Sequence, residues 1–269
     1  MQLNVLVNAP FQQGQKKSGV EKGCYFLENI ILKCFDIREK HEIFSNISNI
    51  ENNNDWQLDY KNLYEKLSNL DNYILVGGDH SIGMSSVASS INKISNINNL
   101  YVIWIDAHAD SNTMQASVTK NIHGQPLAGI LGYEPPWFAI KENLPTQNLL
   151  YFGIRDLDDF EQQKITEHNI FNTSNLSIII NKIQNILTNN TNAVFHVSFD
   201  VDALDSTIMK ATGCIVNDGL FPSDIITLIN IIKKRLIAFD LVEFNPDLCS
   251  NYDLDISYNS IKEILEGIS

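Results

Sequence analysis

The chain has 269 residues, 44% of them hydrophobic and 19% charged, the composition of a soluble globular protein long enough to bury a substantial α/β core. Lys and Arg number 19 against 32 Asp and Glu, and the resulting formal charge of −13 repels a phosphate backbone, which excludes nucleic acid as an expected partner. No run of about 18 apolar residues marks a membrane span. The opening MQLNVLVNAPF lacks a basic segment leading into a long apolar one, and four scattered cysteines without a C-x-x-C pair indicate a reducing compartment, so a cytoplasmic location is expected.

Short apolar runs rich in β-branched residues alternate with longer stretches of helical spacing. Residues 3–7 read as a buried strand and 19–35 as a helix. Residues 39–69 are polar and weakly patterned, combining an amphipathic helix with a variable loop. Strand signals follow at 73–76, 101–105, 149–152, 194–199 and 237–242. Helices are predicted over 81–94, 223–234 and 257–268, with Ser81, Ser223 and Ser257 as their starting residues. The alternation predicts an α/β protein of three layers, α/β/α, around a mainly parallel central sheet. No repeat or linker interrupts it, so residues 1–269 are expected to form one domain. The abundance of Asn and Ile carries no functional information.

In open α/β sheets, ligands sit beyond the carboxyl ends of the strands. The polar residues of this chain concentrate there. Gly77-Gly78-Asp79-His80-Ser81 follows one strand signal, Asp106-Ala107-His108-Ala109-Asp110 another, and Asp200-Val201-Asp202 a third. Setting Asp79 aside, these segments present four carboxylates (Asp106, Asp110, Asp200, Asp202) and two imidazoles (His80, His108). If the strand end stays extended, residues two apart point the same way, so Asp106, His108 and Asp110 would enter one pocket. Four crowded carboxylates repel one another in a low-dielectric crevice, and two divalent cations would neutralise them. An oxygen and nitrogen donor set without thiolate suits manganese better than magnesium or iron, and a structural zinc site least.

The segments GGDHSIG, WIDAHAD and SFDVDALD resemble the three metal-binding signatures of the ureohydrolase superfamily. NAPFQQGQKKSGVEKG, NIHGQP, FGIRDLDDFE and LVEFNP resemble further segments of its arginase members, so that the likeness covers nearly the whole chain. It implies the arginase-like fold and hydrolysis of L-arginine to L-ornithine and urea by a hydroxide bridging two Mn2+ ions per subunit. By that likeness Asp106 and Asp200 bridge the metals, while His80, His108, Asp110 and Asp202 complete their shells. His123 relays a proton to the leaving amine, and Glu243 pairs with the substrate guanidinium, whose fork a carboxylate accepts well. Asn112, Thr119 and Asn121 match the loop contacting the α-carboxylate. Asp158 matches the acceptor for the α-amine, and Glu161 a more distant, water-mediated contact.

The family also implies a homo-oligomer, a trimer or hexamer, although the chain ends soon after Glu243, short of the tail many members use between subunits. Three positions depart from the pattern. Lys120 stands where arginases usually have glycine and would either assist or crowd the carboxylate, Ser206 replaces a usual proline, and Cys214 a usual threonine. The alternatives are another ureohydrolase, acting on agmatine or guanidinobutyrate, and a non-catalytic arginine-binding module; retention of all six ligands argues against the module.

Overall fold

A computed structural model describes residues 3–45 and 55–269. Eight strands, β1 (Val5–Ala9), β2 (Glu39–Glu42), β3 (Tyr73–Gly77), β4 (Leu100–Ile105), β5 (Leu149–Phe152), β6 (Phe171–Thr173), β7 (Val194–Asp200) and β8 (Leu236–Val242), join in one sheet of order β2-β1-β3-β8-β7-β4-β5-β6. Every pair is parallel, a stricter arrangement than the mainly parallel sheet expected from the pattern. Parallel neighbours need crossovers, which place helices over both faces.

The helices are α1 (Gly23–Cys34), α2 (Trp56–Ser68), α3 (Gly83–Lys93), α4 (Pro126–Leu131), α5 (Asp159–Glu167), α6 (Leu176–Asn189), α7 (Pro222–Ile232) and α8 (Asn251–Ile268). Alternation along β4 divides the core: Ile103 and Ile105 face a layer containing Leu27 of α1, Ile183 of α6, Ile229 of α7 and Ile264 of α8. Val102 and Trp104 face the opposite layer, with Leu63 of α2, Val87 of α3 and Leu127 of α4. The three-layer α/β/α expectation holds. Among the described residues no helix is long and apolar enough to cross a membrane.

The differences from the sequence reading have local causes. β2 and β6 are the two edge strands; the former, Glu-Lys-His-Glu, is largely exposed, and the latter spans three residues, so neither carries an apolar run. Within residues 39–69 the helix is α2, whereas residues 46–54 lie outside the described residues. Helix α8 starts earlier than Ser257, because Ser250 caps it by accepting from Asp253 N; Ser257 is buried in mid-helix, where its hydroxyl donates to Asp253 O. Asp79, not Ser81, caps the turn ahead of α3, its carboxylate accepting from Ser81 N at 3.0 Å.

β8 and β7 come late in the chain yet lie between β3 and β4. That ordering brings the carboxyl ends of β3, β4, β7 and β8 together, and with them the segments beginning at Gly77, Asp106, Asp200 and Glu243.

Candidate metal centre and substrate cavity

His80, fully buried just beyond β3, stacks flat on Trp104 of β4, with ring centroids 4.0 Å apart and 6° between planes. Its Nε2 lies 2.9 Å from the hydroxyl of Ser198 on β7. With a proton on Nε2 donated to that hydroxyl, the ring could offer its Nδ1 lone pair to a bound ion. Nδ1 sits 3.0 Å from Asp106 Oδ2, 3.0 Å from Asp110 Oδ2 and 3.3 Å from Asp200 Oδ2, yet it makes no hydrogen bond among the described residues. On the far side of Asp106, His108 Nδ1 is 3.4 Å from Asp106 Oδ1 and 3.1 Å from Asp202 Oδ2.

Two groups able to hold a metal ion therefore adjoin: His80, Asp106 and Asp110 in one, Asp106, His108 and Asp202 in the other. Asp106 belongs to both, one oxygen facing each, and Asp200 lies against the first through His80. An octahedral ion with donors about 2.1 Å away sets adjacent donors about 3.0 Å apart. Nδ1 of His80, buried, unbonded and ringed by carboxylates at that spacing, fits such a donor, and the imidazole and carboxylate set suits a first-row divalent ion.

The chain reaches this geometry by turning rather than by running on extended. Asp106 Oδ1 accepts from His108 N at 2.7 Å, a tight turn, and Asp110 takes a left-handed φ of 47° that swings its carboxylate back to His80. After β7, Asp200 Oδ1 accepts from Asp202 N at 2.8 Å, and Asp202 Oδ1 accepts from Ala107 N at 3.1 Å, tying two strand ends together. Trp104 Nε1 donates to Asp106 Oδ2 at 3.0 Å.

Charge crowding is visible in the protonation of these groups. Burial, then the neighbouring Asp106 charge, pushes Asp110 up to about 6; burial, then Asp202 and Asp106, lifts Asp200 well above the usual carboxylate range. Burial opposes charging of His80 and His108, but the carboxylates around them overcome it and raise both. Burial works against the Asp106 charge too, and the two histidines outweigh it, holding Asp106 low. The protein without metal thus balances its carboxylates with protons, the task that cations would take over.

Beside this cluster opens a cavity of about 150 Å³. His108, Asp110, Asp200 and Asp202 line it, with Asn112, Thr119, Asn121, His123, Asp158, Glu161 and Glu243, so that of the predicted site residues only the fully buried His80 and Asp106 stand behind its wall. His123 Nδ1 is 2.9 Å from Glu243 Oε1. Burial pulls the imidazole down, and the Glu243 charge and hydrogen bond more than reverse this, raising His123 to about 9. Glu243 Oε1 also accepts from His80 N at 2.9 Å, and Oε2 from Gln15 Nε2 at 2.5 Å, while the residue itself sits at φ 66°. Asn112 Nδ2 donates to Asp158 Oδ2 at 2.6 Å, and Thr119 Oγ1 accepts from Asn121 N at 3.2 Å. Glu161 spends both oxygens on backbone, accepting from Ser111 N at 2.9 Å and Asp158 N at 3.2 Å, and burial raises it to about 7. It braces the loop that carries Asn112.

Lys120 neither fills nor borders the cavity: at φ 60° its ammonium turns onto the carbonyls of Met114 at 2.7 Å and Gln115 at 3.1 Å. Cys214 does line the cavity, with burial pushing its thiol up to about 11, which keeps it neutral. Sequence reasoning missed Trp104, Ser198, Asp79 and Gln15. A signal existed for the first two, which precede Asp106 and Asp200 by two residues and so share their strand faces. Asp79 accepts from Gly14 N at 2.7 Å and anchors the loop following β1. Nothing in the pattern singles out Gln15.

A parallel α/β sheet carrying a paired histidine and carboxylate cluster at its strand ends, open to a small polar cavity, is an arrangement suited to metal-dependent hydrolysis. The profile of the arginase family matches residues 4–258, and the chain belongs to that family. It is 34% identical over 240 residues to the arginase of Plasmodium falciparum, covering 82% of this chain and 57% of that one, so the chain spans little more than half the length of that relative. The arginase of Staphylococcus aureus strain MSSA476 is 34% identical over 278 residues, covering 91% of each chain. The crystal structure of Entamoeba histolytica arginase in complex with L-ornithine superposes with a TM-score of 0.85 at 26% identity, over 98% of this chain and 99% of that one.

Proposed function

We propose that the protein hydrolyses L-arginine to L-ornithine and urea at a pair of Mn2+ ions. The observation that carries this reading is Asp106, which presents one oxygen to each of two adjoining donor groups beside the cavity. His80, Asp110 and the shared Asp106 and Asp200 would hold one ion, and His108 and Asp202, with the same shared pair, the other. When bound, the two ions would neutralise the carboxylates and supply hydroxide from water near neutral pH.

The remaining work falls to the chain itself. Glu243, held low because the charge and hydrogen bond of His123 outweigh its burial, offers a carboxylate to the substrate guanidinium. His123, raised to about 9 in the metal-free protein, stands on the same carboxylate, placed to protonate the amine as the C–N bond breaks. Asn112, Thr119 and Asn121 would meet the α-carboxylate and Asp158 the α-amine, with Glu161 fixing the loop between them. With its ammonium turned away, Lys120 leaves that end of the cavity open to a substrate carboxylate. The same reading takes residues 1–269 as one catalytic unit that works in the cytoplasm as a homo-oligomer.

Metal content tests the reading. Protein dialysed against Mn2+ and then freed of excess should retain two ions per chain by elemental analysis. Asp106→Asn should retain fewer and lose urea release by about a hundredfold or more, since removing one partner of a buried charged cluster is strongly disruptive. Full metal content and activity in that variant would show the centre to be elsewhere.

A further inference from the structure

Residues 12–18, the loop after β1, run beside His123 and Glu243 and are fastened on several sides. Gly14 N donates to Asp79 Oδ2 at 2.7 Å, and Gly14 O accepts from His123 N at 3.2 Å. The Lys17 ammonium donates to Gly213 O, and Ser18 O accepts from Asn245 Nδ2 at 3.0 Å. A Cβ at position 14 would collide with the Asp79 carboxylate, so only glycine lets the loop lie this close. Gln15 is thereby delivered to Glu243 on an anchored backbone.

An ionised carboxylate offers about four acceptor positions. In Glu243 three are used among the described residues: His80 N and the His123 ring meet Oε1, and the Gln15 amide meets Oε2. One position remains, on Oε2. Glu243 is 3% exposed and lines the cavity. A guanidinium approaching this carboxylate finds a single free acceptor, not the two-pronged fork expected from the residue type alone.

We infer that Gln15 is a positioning residue that holds the Glu243 carboxylate so that it offers one acceptor to the substrate guanidinium. The inference rests on the reading of Glu243 as the guanidinium partner. It makes a selective prediction, because ornithine has no guanidinium and its binding should not depend on how Glu243 is held.

The test compares Gln15→Met, Gln15→Glu and Glu243→Gln in the manganese-loaded protein, measuring KM for arginine and, by calorimetry, Kd for ornithine. Removing a hydrogen bond to a charged group should raise the arginine KM of Gln15→Met about tenfold. The ornithine Kd should stay within about twofold. Gln15→Glu, which sets a second carboxylate against the first, should be worse than Met for arginine alone. A parallel loss of arginine and ornithine binding would reduce Gln15 to a structural tie and overturn the inference, as would an unchanged or lowered arginine KM in Gln15→Met. Glu243→Gln separates the two claims: if it weakens arginine while Gln15→Met does not, the inference alone fails. If Glu243→Gln leaves arginine untouched, the reading of Glu243 falls with it.

Discussion

Replacing Ser198 by alanine removes one hydroxyl from the centre without touching a proposed ligand. Ser198 Oγ lies 2.9 Å from Nε2 of His80, and both residues are fully buried. Nε2 has no other partner among the described residues, so the variant leaves a buried N–H unmet, at a cost of about 1–3 kcal/mol to the folded metal-free protein. The second consequence concerns the ion. The hydroxyl orients the ring so that Nδ1 faces Asp106, Asp110 and Asp200, and losing such a partner typically costs about 10–100-fold in metal affinity. Urea denaturation of the metal-free variant measures the first effect, and competition for Mn2+ against a fluorescent chelator the second. If Ser198→Ala binds Mn2+ as tightly as wild type and unfolds at the same urea concentration, the proposed role of His80 Nδ1 is wrong.

Other consequences can be checked independently. In the metal-free protein the His123 pKa is raised from 6.5 to about 9, so the His123–Glu243 pair contributes stability that is complete below about pH 6.5 and is lost as pH rises through 9. A shift of that size corresponds to about 3 kcal/mol; His123→Asn should remove this slope in denaturant unfolding followed from pH 6 to 10, and an unaltered slope would refute the pairing. Lys120→Gly should raise stability by up to about 1 kcal/mol, because glycine accepts a φ of 60° without strain and the ammonium it removes holds only exposed carbonyls. A drop in Tm for that variant would show the clasp to outweigh the strain. Lys120→Met should leave the ratio of arginine to agmatine turnover unchanged, whereas a large shift would place the ammonium at the substrate. Gly14→Ala should destabilise the protein by several kcal/mol, through overpacking on Asp79 and loss of a buried charged hydrogen bond, read as a lower midpoint in urea.

The legible part of the fold was the part under strong hydrophobic constraint. The six strands expected from apolar runs are all present, with ends shifted by a residue or two, because central strands of a parallel sheet are buried on both faces and read as continuous apolar segments. The edge strands β2 and β6 need no such run. Helix α6 escaped notice although Ile179, Ile183 and Ile186 are buried along one side and Asn175 caps it; its interspersed polar residues read equally well as surface chain. At the site, the donors themselves could be found because charged residues at strand ends are conspicuous. What joins them could not: the turn that brings Asp110 back to His80 depends on a left-handed residue, and the link from Gln15 to Glu243 spans most of the chain. Such contacts follow from strand order, since β8, the last strand in the chain, lies beside β3.

The central claim is that this cavity takes arginine and cuts its guanidinium group with metal. The most direct test is urea release by protein stripped of metal and reloaded with Mn2+, with L-arginine and agmatine run in parallel at equal concentration. The account predicts turnover of arginine that depends on Mn2+, little turnover of agmatine, and no urea from the stripped protein. Release from agmatine alone would contradict the substrate assignment, and silence on both with two ions bound would contradict the catalytic claim.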